Sequence, residues 1–255
     1  MEGLTDKVVV FAGAGGIATA AAQYLGAGGA KVVVGDISLA SAERAASACI
    51  ASGGSAEPTM TDISDEADVE ALIQLALNTY GRIDGLFNVA ANIGAEEVAR
   101  DTTVVDIDLA AWQRNLDINL TGYLLTARYA IPHLIEGGGG SIVNTISDAV
   151  YGGMQTSVAY QATKAGVTAL TRHIARTYGK QGVRSNSVSP GLVLTEMTRQ
   201  NLSQELQDQT LAITPSHRHG EPANLGAMVA FLLSDLGGWI TGQVINVDGG
   251  VVMRA

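Results

Sequence analysis

The sequence predicts an α/β fold in which one doubly wound parallel sheet of about seven strands is flanked by helices on both faces. Short β-branched runs alternate with longer helix-forming runs along the whole chain, and this is typical of parallel strands joined by crossover helices. Apolar residues make up 47% of the 255 residues and charged residues only 16%, so a large buried core is expected. No linker or internal repeat interrupts the pattern, and residues 1–255 are therefore predicted to form a single domain.

The first half of the chain contains four predicted strands. Three of them are nearly continuous apolar runs, which indicates burial on both faces of the sheet. These strands are expected at 7–11, 31–36 and 83–88, with a weaker strand near 55–61. The connecting segments are rich in Ala and other helix-forming residues, and they predict helices at 16–28, 38–52 and 65–80.

The second half continues the alternation. The predicted elements are, in order, a long helix at 108–135, a strand at 141–146, a helix at 157–179, a strand at 183–188, a helix at about 222–234 and a strand at 243–247. Residues 191–221 show no comparable pattern. We expect them to form a looser substrate-binding loop.

The charge balance excludes some partners. A net charge of −10 argues against nucleic acid or an anionic membrane. Cys49 is the only cysteine, so no disulfide can form within the chain, which is typical of a reducing cytoplasm. The stretch between Lys7 and Lys31 has no charged residue and is long enough to span a bilayer, but its many Gly and Ala residues predict a buried strand, turn and helix. We expect a soluble, cytoplasmic protein that acts on a small molecule.

Tyr160 and Lys164 lie four residues apart, which places them on one face of a helix, one turn apart. A phenol titrates near pH ~10, and a cation beside it favours the phenolate. The pair therefore suits proton transfer at a reacting centre, where Lys164 is expected to lower the pKa of Tyr160. Ser147 follows the predicted strand at 141–146 and is expected to face Tyr160 across a cleft.

A glycine-rich turn follows the first strand and opens the first helix, at Gly13, Gly15, Gly16 and Ile17. Such a turn lets the backbone approach a pyrophosphate at the N-terminus of the helix. Asp36 closes the second strand, where a carboxylate accepts hydrogen bonds from the ribose hydroxyls of an adenosine and repels a 2′-phosphate. No Arg or Lys occurs in the next seven residues, so NAD is favoured over NADP.

These residues and several others resemble the classical short-chain dehydrogenase/reductase family over nearly the whole chain. The strongest match is the ordered set Asn119, Ser147, Tyr160 and Lys164. The further matching segments are Asn88-Val89-Ala90-Ala91, Asn119-Leu120-Thr121-Gly122, Pro190-Gly191, Thr195, Ile240-Thr241-Gly242 and Val247-Asp248-Gly249-Gly250. The resemblance implies a Rossmann-like fold and an oxidoreductase.

The first turn departs from the family pattern. Ala12 stands in place of a Thr, the turn is one residue shorter, and Ala18 stands in place of the last Gly. Some relatives in the family have lost nucleotide binding and carry out halide chemistry instead. Asp36 and Thr195 favour a functional nicotinamide site here.

The resemblance implies a role for each member of the matching set. Tyr160 acts as general base in alcohol oxidation and general acid in ketone reduction. Ser147 donates to the substrate oxygen and polarises the carbonyl. Lys164 lowers the pKa of Tyr160 and binds the nicotinamide ribose, and Asn119 holds a water that links Lys164 to solvent.

A set of residues around the strand ends is expected to contact NAD. These residues are Gly13, Gly15, Gly16, Ile17, Asp36, Ile37, Asp62, Ile63, Asn88, Ala90, Tyr160, Lys164, Pro190, Gly191, Val193 and Thr195. Asp62 and Ile63 are expected at the adenine, although a helix N-cap before Ser64 is an equally simple explanation of Asp62. No metal site is predicted, because His217 and His219 have no evident third ligand.

The expected substrate is an apolar or alicyclic secondary alcohol or ketone. Two segments are expected to line its site and are mostly apolar: Leu192, Val193, Leu194, Met197 and Leu202 after the sixth strand, and Ala149, Tyr151 and Met154 after Ser147. No basic cluster indicates a carboxylate or phosphate substrate, which disfavours a carrier-bound 3-oxoacyl reductase. The resemblance also implies a homotetramer joined through the helices at 108–135 and 157–179 and the last strand.

Three classes of function remain open. The first is an NAD-dependent dehydrogenase that interconverts a secondary alcohol and a ketone, with a 3-oxoacyl-(acyl-carrier-protein) reductase as a variant. The second is a cofactor-independent lyase or dehalogenase, which the short glycine turn favours. The third is a binding protein on a nucleotide-binding fold, and the intact set of four polar residues disfavours it.

Overall fold

The sheet contains seven strands, all of them parallel. In the computed structural model, which describes residues 1–253, the strands are β1 (Val8–Ala12), β2 (Lys31–Asp36), β3 (Ser55–Met60), β4 (Gly85–Asn88), β5 (Gly140–Thr145), β6 (Val183–Pro190) and β7 (Val244–Val247). Their order across the sheet is β3-β2-β1-β4-β5-β6-β7. The structure confirms the predicted fold class.

Helices cover both faces of the sheet. They are α1 (Gly16–Ala27), α2 (Leu39–Ala51), α3 (Glu66–Tyr80), α4 (Ala95–Arg100), α5 (Leu109–Leu116), α6 (Gly122–Glu136), α7 (Ala149–Gly152), α8 (Val158–Tyr178), α9 (Glu196–Asn201), α10 (Gln204–Ile213) and α11 (Pro222–Leu233). One core cluster joins the sheet to α1, α2 and α11, and another joins it to α3, α6 and α8. Within residues 1–253, no helix is both long enough and apolar enough to cross a membrane.

β1 shows why the strands are continuously apolar. Successive side chains of a strand point to opposite faces of the sheet. Val9 and Phe11 accordingly join the core under α1 and α11, whereas Val8 and Val10 join the core under α3 and α6. A strand with helices on both faces buries every residue, and the pattern of the sequence follows from this.

The strand order places a binding cleft at one edge of the sheet. The chain moves outward from β1 to β2 and β3, and then returns to continue from β4 to β7 on the other side. Ligands bind beyond the carboxyl ends of strands at such a reversal. The ends that meet there are Ala12, Asn88, Thr145 and Pro190.

The predicted long helix at 108–135 is interrupted by a wider turn. Residues Asp117–Thr121 form a π-helical segment between α5 and α6, in which the Gly122 N–H donates to the Asp117 carbonyl. Such segments carry one extra residue and occur frequently at functional sites. Asn119 lies within it.

The predicted irregular stretch at 191–221 contains two helices, so that prediction was wrong in part. Thr195 and Ser203 cap α9 and α10 because their side chains accept the Thr198 and Leu206 N–H groups. Thr and Ser are favoured at helix N-caps, so these two residues are the sequence signal that could have predicted both helices. The short helices α4 and α7 were not predicted either.

Candidate active site

A cavity of about 850 Å³ opens at the carboxyl edge of the sheet. This volume is typical of a site for a small molecule or cofactor. The cavity extends from the turn after β1 to the end of β5, with α9 along one side. The predicted site residues that line it are Gly15, Gly16, Ile17, Ser147, Tyr160, Lys164, Pro190, Gly191, Val193 and Thr195.

Ser147 and Tyr160 lie together in this cavity, as their expected roles require. Ser147 follows β5, and its Oγ accepts the Ala149 N–H at 3.2 Å. The same hydroxyl donates to Asp148 Oδ1 at 3.2 Å. A hydrogen bond with Ser147 also acts on the Tyr160 phenol and lowers its pKa. The two hydroxyls can therefore reach a common oxygen atom of a substrate.

The pKa of Tyr160 differs from expectation. Burial raises it above its usual value of 10.0, and the negative charge of Asp148 raises it further, against the opposing effect of Ser147. The effect of Lys164 on this pKa stays a prediction. The Lys164 Nζ lies 5.8 Å from the centroid of the Tyr160 ring.

Lys164 is a buried cation at the site, with only 1% of its surface exposed. Its Nζ donates to the Thr145 carbonyl at 2.9 Å and to the Tyr123 hydroxyl at 3.3 Å. Burial lowers the pKa of Lys164 from 10.5 to about 7. Tyr123 was not predicted as a site residue. Its hydroxyl in turn donates to the Ala90 carbonyl at 2.9 Å, so it fixes the position of the ammonium.

Asn119 is buried in the π-helical segment, next to the cavity but outside its lining. Its Oδ1 accepts the Asn92 N–H at 2.8 Å, and its Nδ2 donates to Asn115 Oδ1 at 3.0 Å. Both ends of the side chain are therefore used by protein groups. Its predicted role as the holder of a water stays a prediction.

The turn after β1 is shaped to receive an anion. No side chain caps α1 at its N-cap residue, Gly15, so the first amides of a twelve-residue helix are left for a ligand. A Cβ atom at Gly15 would meet nothing within 4 Å, whereas one at Gly16 would lie 3.2 Å from Thr195 Cγ2. The shortened turn thus keeps open space at the helix terminus and brings Thr195 beside it.

The carboxyl end of β5 also reaches the site. Thr145, the last residue of this strand, lines the cavity beside Ile146 and Ser147. These features fit a dinucleotide whose pyrophosphate lies at α1 and whose reactive end lies near Tyr160.

Asp36 lies at the end of β2, where it was predicted. Its Oδ2 accepts the Ala14 N–H at 2.7 Å and its Oδ1 accepts the Ser38 N–H at 2.8 Å. Arg44 is the eighth residue after Asp36, one position beyond the seven residues that contain no Arg or Lys. It lines the cavity and donates to Ser41 Oγ at 2.8 Å. The site therefore contains one basic group that the sequence reasoning missed.

Several predicted cofactor residues lie beneath the cavity instead of in it. Asn88 is fully buried, donates to Asn144 Oδ1 at 2.8 Å and accepts from Thr126 Oγ1 at 2.8 Å, so its side chain joins β4 to β5 and α6 within the protein. A Cβ atom at Gly13 would lie 2.4 Å from the Ala90 nitrogen. Gly13 and Ala90 therefore serve the close approach of β1 to the chain after β4.

The predicted adenine contacts also lie outside the cavity lining. Asp62 Oδ1 accepts from the Ser64 N–H at 2.9 Å and from its hydroxyl at 2.6 Å, and Oδ2 lies 3.4 Å from Arg114 Nη2. The N-cap of α3 is Asp65, so the alternative of a helix N-cap at Asp62 is wrong, and the Asp62 carboxylate instead bonds within the turn before the helix. Ile63 is 4% exposed and packs against Gly122 of α6, whereas Ile37 is 64% exposed.

The outer face of α1 carries a set of lining residues that the sequence reasoning missed. Thr19, Ala20 and Gln23 line the cavity. They follow Gly16 by three, four and seven residues, which is the spacing of one helix face. That periodicity, counted from the glycine turn, was the signal that could have found them. Ile93 and Glu196 also line the cavity and were not predicted.

Four of the eight predicted substrate residues are at the site. Leu192, Val193, Met197 and Leu202 line the cavity. Leu194 does not, and neither do the three predicted residues after Ser147, which are Ala149, Tyr151 and Met154. The apolar wall is therefore built mainly by the segment after β6.

Comparisons with known proteins agree with this geometry. A family model described as enoyl-(acyl carrier protein) reductase matches residues 12–252. Levodione reductase of Leifsonia aquatica is 35% identical, over 96% of this chain and 94% of its own length. Cyclohexanol dehydrogenase of Acinetobacter sp. (strain SE19) is also 35% identical, with the same coverage of both chains. A 3-oxoacyl-[acyl-carrier-protein] reductase of Synechocystis sp. is 36% identical, over 99% of this chain and 100% of its own.

The fold matches as well. A short-chain type dehydrogenase/reductase from Mycobacterium ulcerans superimposes with a TM-score of 0.88 at 30% sequence identity, covering 98% of this chain and 91% of that one. The chain belongs to the short-chain dehydrogenase/reductase family. As a short-chain dehydrogenase/reductase it is an oxidoreductase of CH–OH groups that uses a nicotinamide dinucleotide, NAD or NADP. The predicted family and enzyme class are confirmed.

In this short-chain dehydrogenase/reductase, no three His, Cys, Asp or Glu side chains of residues 1–253 group as metal ligands. Arg218, which separates the two histidines considered above, donates to the His219 carbonyl at 2.9 Å and to Asn224 Oδ1 at 3.0 Å. This loop is therefore held by its own hydrogen bonds at the start of α11.

Replacement of Asp148 by Asn should shift the pH profile of this dehydrogenase to lower pH. The Asp148 charge raises the pKa of Tyr160, so its removal lowers that pKa. With Tyr160 in its predicted role as general base, alcohol oxidation depends on the phenolate, and the rising limb of kcat/KM against pH for oxidation should move to lower pH. Asp208→Asn removes the same charge from the exposed surface of α10 and is the control. A profile that does not move in Asp148→Asn would contradict this coupling.

Proposed function

We propose that this chain is an NAD-dependent dehydrogenase that interconverts an apolar, alicyclic secondary alcohol and its ketone. One observation carries the proposal: Ser147, Tyr160 and Lys164 line the same cavity as the uncapped N-terminus of α1. A proton-transfer group and an anion-binding helix terminus in one cavity are what a dinucleotide-dependent redox reaction needs.

Tyr160 is proposed to exchange the proton of the substrate oxygen. Its raised pKa keeps the phenol protonated at neutral pH, which suits donation to a ketone. In oxidation the same oxygen accepts the hydroxyl proton, and this direction should be favoured at higher pH. The nicotinamide ring, when bound, supplies or accepts the hydride. Ser147 is proposed to donate to the substrate oxygen as charge develops on it.

Lys164 is proposed to bind the ribose next to the nicotinamide and to pass protons toward Tyr160. Its ammonium already holds two oxygen acceptors, the Thr145 carbonyl and the Tyr123 hydroxyl. A pKa of about 7 leaves it able to give or accept a proton near neutrality. Asn119, in the adjacent π-helical segment, is proposed to hold the water that connects this lysine to solvent.

The substrate class rests on the apolar residues that line the cavity. Ile93, Leu192, Met197 and Leu202 present apolar surface to the cavity, and the charged Glu196 disfavours a carboxylate-bearing substrate. Cyclohexanol, the alcohol named for one relative, is a secondary alcohol on an apolar ring. An apolar ring of this size gains from burial against such a wall at roughly 25 cal/mol per Å².

The preference for NAD rests on Asp36. Its carboxylate is fixed by two backbone N–H groups at the end of β2, where a ribose is expected. A 2′-phosphate there would meet a negative charge. Arg44 offers the opposite charge in the same cavity, and it is the group that an NADP-dependent enzyme would use.

A second candidate is reduction of a 3-oxoacyl group on an acyl carrier protein. The matching family description and the Synechocystis relative favour it. The net charge of −10 disfavours the docking of an acidic carrier. A soluble 3-oxoacyl thioester, turned over faster than cyclohexanone, would support this candidate over the first.

Titration with NADH and with NADPH, followed by nicotinamide fluorescence, tests the proposal. We expect NADH to bind at least about 10-fold more tightly, because the carboxylate repels the additional phosphate. Asp36→Asn should reduce the ratio of the NADPH dissociation constant to the NADH dissociation constant, and Arg44→Gln should increase it. Tighter NADPH binding would overturn the role of Asp36. No binding of either would favour the cofactor-independent lyase or dehalogenase.

The substrate class is tested by nicotinamide absorbance with a panel of alcohols. Cyclohexanol and an open-chain secondary alcohol with the same number of carbons form a matched pair, and a cyclohexanol that carries a carboxylate tests the role of Glu196. We expect the ring alcohol to give the highest kcat/KM and the carboxylate the lowest. A preference for the carboxylate would contradict the assigned substrate class.

We also infer a homotetramer joined through α5, α6 and α8 and the β7 edge. Leu109 of α5 and Leu124 of α6 are apolar and exposed, at 76% and 49% of their surface. Exposed apolar residues on the same pair of helices support an interface there. Light scattering on a gel-filtration column measures the molar mass, and a monomer would contradict the inference. A cytoplasmic location stays a prediction from the single, buried Cys49.

A further inference from the structure

The helix that carries Tyr160 is capped by a distant residue. α8 begins at Val158, and the preceding Ser157 has a left-handed φ of 63° and gives no side-chain cap. The Asp101 carboxylate caps the helix instead. Its Oδ1 accepts the Ala159 N–H at 2.9 Å, and its Oδ2 accepts the Tyr160 N–H at 2.8 Å.

The backbone of Asp101 extends this contact. Its carbonyl accepts the Ser157 N–H at 2.7 Å, and the Thr102 carbonyl accepts the Val158 N–H at 3.4 Å. The four amides of residues 157–160 thus all bond to Asp101 and Thr102, the two residues that follow α4. Asp101 is 3% exposed, so little water competes with its carboxylate. A buried carboxylate at a helix N-terminus is stabilised by the helix dipole and by charge-assisted hydrogen bonds.

We propose that Asp101 is a positioning residue that holds Tyr160 in place for proton transfer. The inference rests on the proposed role of Tyr160. Two hydrogen bonds from one rigid carboxylate fix both the distance and the rotation of the helix start. One of them is to the amide of Tyr160 itself, so the Cα position from which the phenol projects is set directly.

The location of Asp101 adds a second reason. It follows α4, and the segment before α4 contributes Ala91 and Ile93 to the cavity. The carboxylate therefore ties the wall of the cavity to the helix that carries the reacting phenol. A displacement of about 1 Å at a reacting group is sufficient to reduce turnover about 100-fold.

A graded pair of variants tests the inference. Asp101→Asn keeps one acceptor oxygen but turns an amide N–H toward a backbone N–H, and Asp101→Ala removes both acceptors. We expect kcat to fall about 10-fold in the first variant and about 100-fold in the second. The dissociation constant of NADH and the KM of the alcohol should change less than about 3-fold, since Asp101 is not among the residues proposed to bind the cofactor or the substrate.

Asp108→Ala is the matched control. Asp108 caps α5 through its own carboxylate, with Oδ1 accepting the Ala110 N–H at 3.0 Å, and it lies outside the cavity lining. Loss of this cap should lower the melting temperature and leave kcat unchanged. A purely structural role of Asp101 would produce the same pattern, with reduced stability and wild-type kcat.

Wild-type kcat in folded Asp101→Ala would overturn the inference, and so would an equal fall in Asp108→Ala. If the alanine variant does not fold, Asp101→Asn decides alone, and wild-type kcat in that variant would also overturn it. Tyr160→Phe separates this failure from failure of the proposed function. Turnover retained without the phenol would reject the role of Tyr160 itself, whereas an inactive Tyr160→Phe with a fully active Asp101→Ala would reject only the positioning role.

Discussion

Tyr160→Phe is expected to reduce turnover by about 10²–10⁴-fold while NADH still binds. The change removes only the phenolic oxygen, so the aromatic ring still fills its place at the start of α8. Without the oxygen, no protein group delivers a proton to the ketone, and in oxidation no group accepts the hydroxyl proton. Ser147 can still donate a hydrogen bond, which accounts for the residual rate.

Two measurements check this result together. Nicotinamide fluorescence should give a dissociation constant for NADH within about 3-fold of the wild-type value, because Lys164 and α1, which are proposed to bind the ribose and the pyrophosphate, are unchanged. Single-turnover absorbance should show the loss in the chemical step. Tyr178→Phe, a phenol removed from the other end of α8, is the matched control and should retain full activity. An active Tyr160→Phe would reject the mechanism.

Lys164→Met is expected to make the protein more stable and inactive. The ammonium is 1% exposed, and burial lowers its pKa from 10.5 to about 7. Such a shift corresponds to a cost of several kcal/mol for the charged form. Met has a similar length and no charge, but it leaves the Thr145 carbonyl and the Tyr123 hydroxyl without their donor. A net gain of about 3 kcal/mol in the free energy of unfolding near neutral pH results.

The pH dependence of the stability change follows from the pKa of Lys164 in the folded and the unfolded chain. Between the folded pKa of about 7 and the unfolded value of 10.5, the unfolded chain binds more protons than the folded chain at this residue. The stability contributed by Lys164 therefore rises with pH across that window, and below a pH of about 7, where both states bind the proton, it stays at its lowest value. The advantage of Lys164→Met should be largest below pH ~7 and should shrink as pH rises toward ~10.

Urea unfolding at about pH 6 and about pH 9 measures this difference. Lys180→Met removes an exposed cation after the same helix and should change the free energy of unfolding by less than about 0.5 kcal/mol. A Lys164→Met protein that is less stable than the wild type at the lower pH would show that the buried ammonium is a favourable interaction. NADH binding should weaken in this variant if the lysine holds the ribose.

Local sequence signals were sufficient for the fold and for part of the site. The strands are apolar runs because both faces of the sheet are covered, so their pattern does not depend on distant residues. The spacing of Tyr160 and Lys164, the position of Ser147 just after β5 and the glycine turn at Gly15 each place a group by local geometry alone. These groups meet in the cavity because the carboxyl ends of parallel strands share one edge.

The remainder of the site depends on contacts between distant segments. Asp101 reaches Tyr160 across 59 residues, and no local pattern identifies it as the cap of α8. The contacts of the Lys164 ammonium could not be predicted from spacing, because the direction of the side chain decides them. The ammonium turns to the Thr145 carbonyl, and Asp148 supplies the charge that acts on the phenol. Asn88 was assigned to the cofactor by its position, whereas its hydrogen bonds join β4 to β5 and α6.

The π-helical segment at Asp117–Thr121 sets the rotational phase of the long helix. Each residue of an α-helix advances its face by about 100°, so one extra residue turns everything after it by that amount. α5 packs against α8, whereas α6 packs against β4, β5 and β6, and one unbroken amphipathic stripe would not serve both surfaces. α5 and α6 are therefore two helices whose faces are rotated relative to each other. Deletion of one residue within the segment would turn Tyr123 away from Lys164, so a chimera with a relative must take its crossover outside this segment.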